Sequence, residues 1–457
     1  MTTATAIDYA RSSAGGLAQA LAEREVSALE LADAAIAAIE AGDGAINAVV
    51  VRDFERGRAA AKAADAALAR GERAPLLGVP MTVKEAHNVA GLPTTWGMPA
   101  YKAWIAPEDS VGVARLKAAG AVILGKTNVP PMLSDWQSAN PVYGRTNNPF
   151  DQARSPGGSS GGSSAALAAG FVPLEFGSDI GGSIRVPSHF CGTYGHKPSY
   201  ELVPQRGHAP PGVDGSGTPL GVIGPMARTA SDLELALDVL AGPAGLDAVG
   251  YRLALAASRH ARLADFRVLI LDHHPLAGVD GEILSAIDTL ARRLEGAGAK
   301  VAAQSDLLPD LEAAHQTYVA LLLTVTSRGA PQQRDPPVTA HEWMGLLDQQ
   351  AAVRRKWTQV FEAFDVVIAP CLGVAAFPHI ADGGAWNDRT LTLDGAQTPF
   401  AAQLAWPGMA SLACLPATAF PLGKTRSGLP IGVQAIGPYL EDRTTLAFAR
   451  LVEEELG

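Results

Sequence analysis

SPGGSSGGSSAALAAGFVPLEFGSDIGGSIR, residues 155–185, contains two serine- and glycine-rich segments, 157–162 and 181–183. Between them Ala165, Ala166, Leu167, Ala168 and Ala169 predict a short helix, and residues 172–176 predict a buried strand. A flexible linker has no reason to be interrupted by an apolar helix and strand before it resumes. The pattern therefore predicts two tight turns, each carrying a serine, held at a fixed separation. Glycine in such turns lets the main chain approach a ligand and point bare N–H groups at it.

The chain around this stretch has 457 residues, 47% of them apolar, enough for a substantial core in one large domain or two ordinary ones. Its formal charge is −10, from 36 basic and 46 acidic residues, with no basic run. That argues for simple solubility and against a nucleic-acid surface. Cys191, Cys371 and Cys414 are far apart and match no zinc spacing, so they read as reduced, mostly buried thiols of a cytoplasmic protein. The N-terminal residues lack an apolar export segment, and no window approaches the roughly 18 apolar residues of a membrane span.

Residues 1–70 read as helices rich in Ala, Leu and Glu, with Ser27 and Glu30 forming a capping box ahead of one of them. From about residue 76 short apolar runs alternate with helices, the α/β pattern: a strand ending at Lys84, a helix over 110–119, a strand over 121–126. Further strands are expected at 267–271, 300–303, 366–369 and 431–436, and helices at 229–241, 281–296, 307–327, 340–361 and 441–455. Residues 243–249 are a weak break between a core (76–242) and a C-terminal half (250–457), yet no linker there requires two domains. Residues 201–222 are loop, rich in Pro and Gly, and either overhang a site as a rim or lid or are a plain surface connection.

A hydroxyl nucleophile needs a base, donors for the oxyanion and a fixed geometry. Ser183 follows Ile180, Gly181 and Gly182, whose backbone N–H groups can turn inward as an oxyanion hole. Asp179 and Arg185 bracket that turn, either as a pin or as an ordinary surface pair. None of the ten histidines lies in a recognisable motif, and no metal site is expected. Lys84 ends a buried strand, where desolvation would lower its pKa toward that of a general base; a structural lysine is the plain alternative. Gly157-Gly158-Ser159-Ser160-Gly161 also satisfies G-x-S-x-G, which would make Ser159 the nucleophile of an α/β-hydrolase, but loop residues rather than a strand precede it.

These residues resemble the amidase signature of the amidase-signature serine hydrolases. GGSSGG, GSDIGGSIRVPS, Phe190-Cys191-Gly192 and Lys197-Pro198 carry the likeness. GVPMTVKEAHNVAG, AGAVILGKTNVP, IGPMART, FDVVIAP and GLPIGVQAIGP extend it over most of the chain. The resemblance implies a single domain over 1–457 with a large mixed β-sheet surrounded by α-helices. It implies a Ser–Ser–Lys triad, with Ser183 as nucleophile, Ser159 bridging after a cis Gly158–Ser159 peptide, and Lys84 as base. Backbone N–H groups of Ile180, Gly181, Gly182 and Ser183 would bind the oxyanion, and Ser160, Asp179 and Arg185 would support the geometry from behind. No cofactor is implied.

The resemblance further implies cleavage of a small-molecule carbon–nitrogen bond in an amide, anilide or carbamate, with ester or urethane hydrolysis as a side activity. If Met132, Leu133, Trp136 and Tyr143 line the pocket rather than the core, an apolar or aromatic substrate fits. Departures are His196 and Ser199, where leucine and threonine are expected, and a following loop to Ile223 several residues longer than usual; they put substrate preference in doubt because this loop borders the site. No segment for a glutamine-tRNA partner is evident, which argues against the transamidosome branch. The oligomeric state, a homodimer included, is left open. A noncatalytic binding protein on the same scaffold is the remaining alternative, separable by testing activated substrates and serine-directed probes.

Overall fold

Helices Ala14–Glu23, Ala28–Ile46 and Phe54–Ala69 open the chain in a computed structural model that describes residues 8–213, 215–328, 336–381 and 384–457. Residues 1–7 of the expected helical region, and Asp214 of the expected loop, lie outside the described residues. Ser27 caps the second helix: its hydroxyl accepts from the Glu30 N–H at 3.1 Å, and the Glu30 carboxylate accepts from the Ser27 N–H at 2.8 Å.

Strand β1 (Val49–Arg52) interrupts this helical region and joins β2 (Pro80–Lys84) and β3 (Val122–Thr127) in a small sheet of order β1-β3-β2. β2 and β3 run parallel, linked through helix Val111–Ala118, and every residue of both is buried. This is the expected strand–helix–strand unit.

The second sheet has eight strands: β4 (Leu174–Asp179), β5 (Tyr194–Lys197), β6 (Val222–Ala227), β7 (Arg267–Ile270), β8 (Lys300–Ala302), β9 (Val366–Pro370), β10 (Ala417–Lys424) and β11 (Pro430–Ile436). Their order is β8-β7-β9-β11-β10-β5-β6-β4. β7 runs parallel to β8 and β9. The other neighbours are antiparallel, so the sheet is mixed, as expected. It takes strands from both sides of residues 243–249, joined where β10 pairs with β5. Cys191, Cys371 and Cys414 are buried free thiols.

β2 lies beside β4, and the two end at Lys84 and Asp179. Short helices Gly161–Ala168 and Arg185–Cys191 pack on each other and bring the two serine segments together at those strand ends. The sequence departures lie elsewhere. Asp442, at the start of the last helix, accepts from the Ser199 hydroxyl at 2.6 Å and the Ser199 N–H at 2.8 Å, and lies 3.1 Å from His196 Nε2. His196 Nδ1 is 2.9 Å from the Thr418 hydroxyl. His196 and Ser199 thus belong to a buried network that anchors the C-terminal helix. Asp442→Ala strips that network of its acceptor and is expected to lower stability by about 2–5 kcal/mol, measured by urea unfolding.

Candidate active site

The loop that carries Ser159 is fixed by close backbone approach. A Cβ on Gly158 would lie 2.2 Å from the Asp135 carbonyl oxygen, so only glycine lets the chain pass there. The Gly158–Ser159 peptide is cis. Loop rather than strand precedes Ser159, so the G-x-S-x-G match lacks its structural context.

Lys84, fully buried at the end of β2, points at hydroxyls. Its Nζ lies 2.6 Å from Ser159 Oγ, 2.8 Å from Ser178 Oγ and 3.0 Å from Ser160 Oγ. Lys84 forms no ion pair with a described residue. Burial pushes its pKa well below the usual lysine value, against the opposing pull of the Asp179 and Glu175 charges.

Ser183 stands on the bend that follows β4. Two side chains set the bend's peptide planes: Tyr318 donates to the Ile180 carbonyl and the Trp136 indole N–H donates to the Gly181 carbonyl, each at 2.9 Å. In a trans peptide the next N–H points the opposite way, away from those anchors. The N–H groups of Ile180, Gly181 and Ser183 bond no described residue. The N–H of Gly182 is different, because it donates to Asp179 Oδ1 at 2.9 Å. Gly182 therefore does not join the expected set of free donors; its φ of +90° makes the turn instead. The Ser160 N–H donates to the Ser183 carbonyl at 3.1 Å, tying the two serine segments side by side. Ser183 Oγ has no hydrogen-bond partner among the described residues. Exposure rises along the row: 0% for Lys84, 1% for Ser159, 6% for Ser183.

The family model "Amidase" matches residues 30–330 and 338–446. The chain belongs to the amidase family. Fatty-acid amide hydrolase 2-A of Danio rerio is 34% identical over 84% of this chain and 76% of its own length. A glutamyl-tRNA(Gln) amidotransferase subunit of Roseiflexus sp. (strain RS-1) is 32% identical over 94% and 93%. Among solved structures, a bacterial aryl acylamidase of the amidase-signature family superposes with a TM-score of 0.83 at 25% identity, over 97% of this chain and 96% of its own.

Within this amidase the Asp179–Arg185 pair is a buried pin, with both side chains at 0% exposure. Arg185 Nε and Nη2 donate to the two Asp179 oxygens at 3.0 and 2.8 Å. The remaining guanidinium donors reach Gln434 Oε1 at 2.7 Å, Pro407 O at 3.0 Å and Ser411 Oγ at 3.1 Å. Burial alone would raise the Asp179 pKa, but the Arg185 charge and its hydrogen bonds outweigh this and hold it down at about 2.

Ser178, Tyr318 and the anchoring use of Trp136 were not legible in the sequence. Ser178 had a weak signal, as a hydroxyl just before the glycine bend. Tyr318 had none, since it comes from a helix in the other half of the chain. Of the four expected pocket residues, Trp136 is buried against the bend and Met132 is 40% exposed in a turn with half-buried Leu133. Tyr143 instead donates its hydroxyl to Glu85 at 3.2 Å. No histidine hydrogen-bonds Ser159 or Ser183 among the described residues, and no group of three His, Cys, Asp or Glu side chains there is placed to hold a metal.

The loop over 201–222 is tied down where it nears the site. Arg206 and Gly207 carbonyls accept from Val111 and Asn88 N–H groups at 3.0 and 2.9 Å, and the His208 ring packs 4.7 Å from His87. Asp179→Asn would leave the Arg185 charge buried and uncompensated. A loss of about 3–5 kcal/mol in unfolding free energy is expected, read by urea titration.

Proposed function

We propose that the protein is a serine amidohydrolase that cleaves a small uncharged amide, anilide or carbamate through a Ser183 acyl-enzyme, acting as one domain. The observation that carries this reading is the 2.6 Å contact between Ser159 Oγ and a wholly buried Lys84 that forms no ion pair with a described residue. An amine whose pKa burial has lowered can accept a proton. Neutral Lys84 takes the Ser159 proton as Ser159 takes that of Ser183, and Ser183 Oγ bonds to the amide carbon. The carbonyl oxygen, now negative, is held by the free N–H groups of Ile180, Gly181 and Ser183. As the C–N bond breaks, Ser159 returns a proton to the leaving nitrogen and is reprotonated by Lys84. Water then attacks the ester by the same route, releasing the acid and restoring Ser183.

Ser183 is assigned as nucleophile because it is the more exposed of the two serines, whereas Ser159 Oγ is engaged by Lys84 at 2.6 Å. The bend borders an apolar cluster that includes Ile180, Trp136, Leu220, Tyr318 and Phe400. This supports apolar or aromatic groups on the substrate, as does likeness to an aryl acylamidase and a fatty-acid amide hydrolase. Hydrolysis of activated esters and urethanes follows from the same acyl-enzyme chemistry.

A panel of p-nitroanilides, p-nitrophenyl esters and aryl carbamates tests the reading, with a fluorophosphonate probe and peptide mapping. Ser183→Ala is expected to lower kcat by at least about 10⁴-fold with the fold intact, and the probe to mark Ser183. Full turnover by that variant, or labelling at Ser159, overturns it. Because only the deprotonated amine is a base, kcat/KM should rise with pH along an acid limb whose midpoint lies well below the usual lysine value.

A further inference from the structure

Glu175 is a buried ionisable group that the proposed chemistry leaves unused. It is 1% exposed on β4 and is held by hydroxyls: Thr82 Oγ1 donates to one carboxyl oxygen and Thr127 Oγ1 donates to the other at 3.5 Å. No described residue forms an ion pair with it. Residues two apart in a strand share a face, so Thr82 and Lys84 project from β2 together. Thr82 meets Glu175 on β4, and Lys84 meets Ser178 on the same strand. The carboxyl therefore bonds the neighbours of Lys84 on two strands: Thr82, two residues before it on β2, and Thr127, its register partner on β3.

The other charges around Lys84 are matched or suppressed. Asp179 is paired with Arg185. His87, 3.3 Å from the Gly177 carbonyl, and His208, packed against it, are both kept neutral mainly by burial. Lys126 donates to Pro93 O and Thr94 Oγ1 and faces Glu85. Lys197 lies toward Asp179 and donates to Leu415 O at 2.7 Å. Glu175 and Lys84 are thus two buried groups near each other, each wrapped in hydroxyls and forming no ion pair with a described residue.

We propose that Glu175 and Lys84 form a coupled proton pair, with Glu175 a positioning residue whose charge sets how readily Lys84 gives up its proton. The inference rests on the reading of Lys84 as base. One proton count permits two arrangements, a neutral acid beside a neutral amine or a carboxylate beside an ammonium. Burial favours the first and attraction between the charges favours the second. Only the first leaves Lys84 able to accept from Ser159. Burial also pushes the Glu175 pKa up to about 7, toward the neutral acid of the first arrangement.

The test measures the pH dependence of kcat/KM for the full chain and for Glu175→Gln on one activated anilide. Without the carboxylate, Lys84 loses an attraction that holds its proton, so the acid limb is expected to move to lower pH by on the order of one unit, with the plateau kcat within a few-fold. A limb that stays in place, or moves up, overturns the pair. A reciprocal measurement needs no activity: the ¹³C carboxyl titration of Glu175 should shift to higher pH in Lys84→Met, which removes the neighbouring cation, and an unchanged midpoint also overturns it. Fluorophosphonate mapping run alongside separates the two failures. Labelling at Ser183 with an unmoved limb sinks the pair alone, whereas labelling elsewhere sinks the mechanism on which it rests.

Discussion

A guanidinium that has left water must find a partner for each of its N–H groups, and Arg185 finds five. Two are the oxygens of Asp179, and three are Gln434 Oε1, Pro407 O and Ser411 Oγ. These partners come from β4, from β11 and from helix Ala405–Leu412, so one side chain joins the glycine bend to the second half of the chain. Asp179 completes the arrangement by accepting from the N–H groups of Gly182 and Ile184 at 2.9 and 3.0 Å. The bend is thereby fixed from behind. A lysine at position 185 would carry the charge without the planar fork, and could not reproduce the set.

Burial alone does not single out Lys84, because Lys126 and Lys197 are also at 0% exposure. What separates them is their partners. Lys197 donates to backbone carbonyls, and Lys126 donates to one carbonyl and to a single hydroxyl, Thr94 Oγ1, at 2.8 Å. Lys84 is surrounded by three serine hydroxyls, which donate as well as accept. The same degree of burial therefore leaves Lys84, alone of the three, among several hydroxyls.

Much of the fold follows from local pattern. β2, β3, β7, β9 and β11 are built around buried aliphatic residues, and the capped helices carry their start signals in sequence. β5, β6 and β10 escaped because YGHK, VIGPMA and ATAFPLGK contain Gly, Pro or charged residues that read as turn. Their strand character comes from neighbours supplied by distant parts of the chain. The strand expected at 172–176 begins at Leu174 and runs on to Asp179, because pairing with β6 continues to Val222. The site shows the same division. Ser159, Ser183 and Lys84 were legible because a motif of fixed spacing holds the first two and a strand end the third. Tyr318 was not, since nothing in its own helix records that its hydroxyl meets Ile180.

The glycines of the first serine segment look, by composition, like a flexible tether, and the packing gives them the opposite role. A Cβ on Gly162 would stand 2.3 Å from the Asn128 N, as one on Gly158 would collide with Asp135 O. Their missing side chains admit neighbouring backbone, which rigidifies the loop rather than loosening it. The helix Gly161–Ala168 and strand β4 then act as a spacer of set length, turning the chain back so that Ser160 can donate to the carbonyl of Ser183. The order of the chain, glycine loop, helix, strand and glycine bend, thus ties the turn that carries Ser159 beside the turn that carries Ser183, with the first turn's serine on the buried amine.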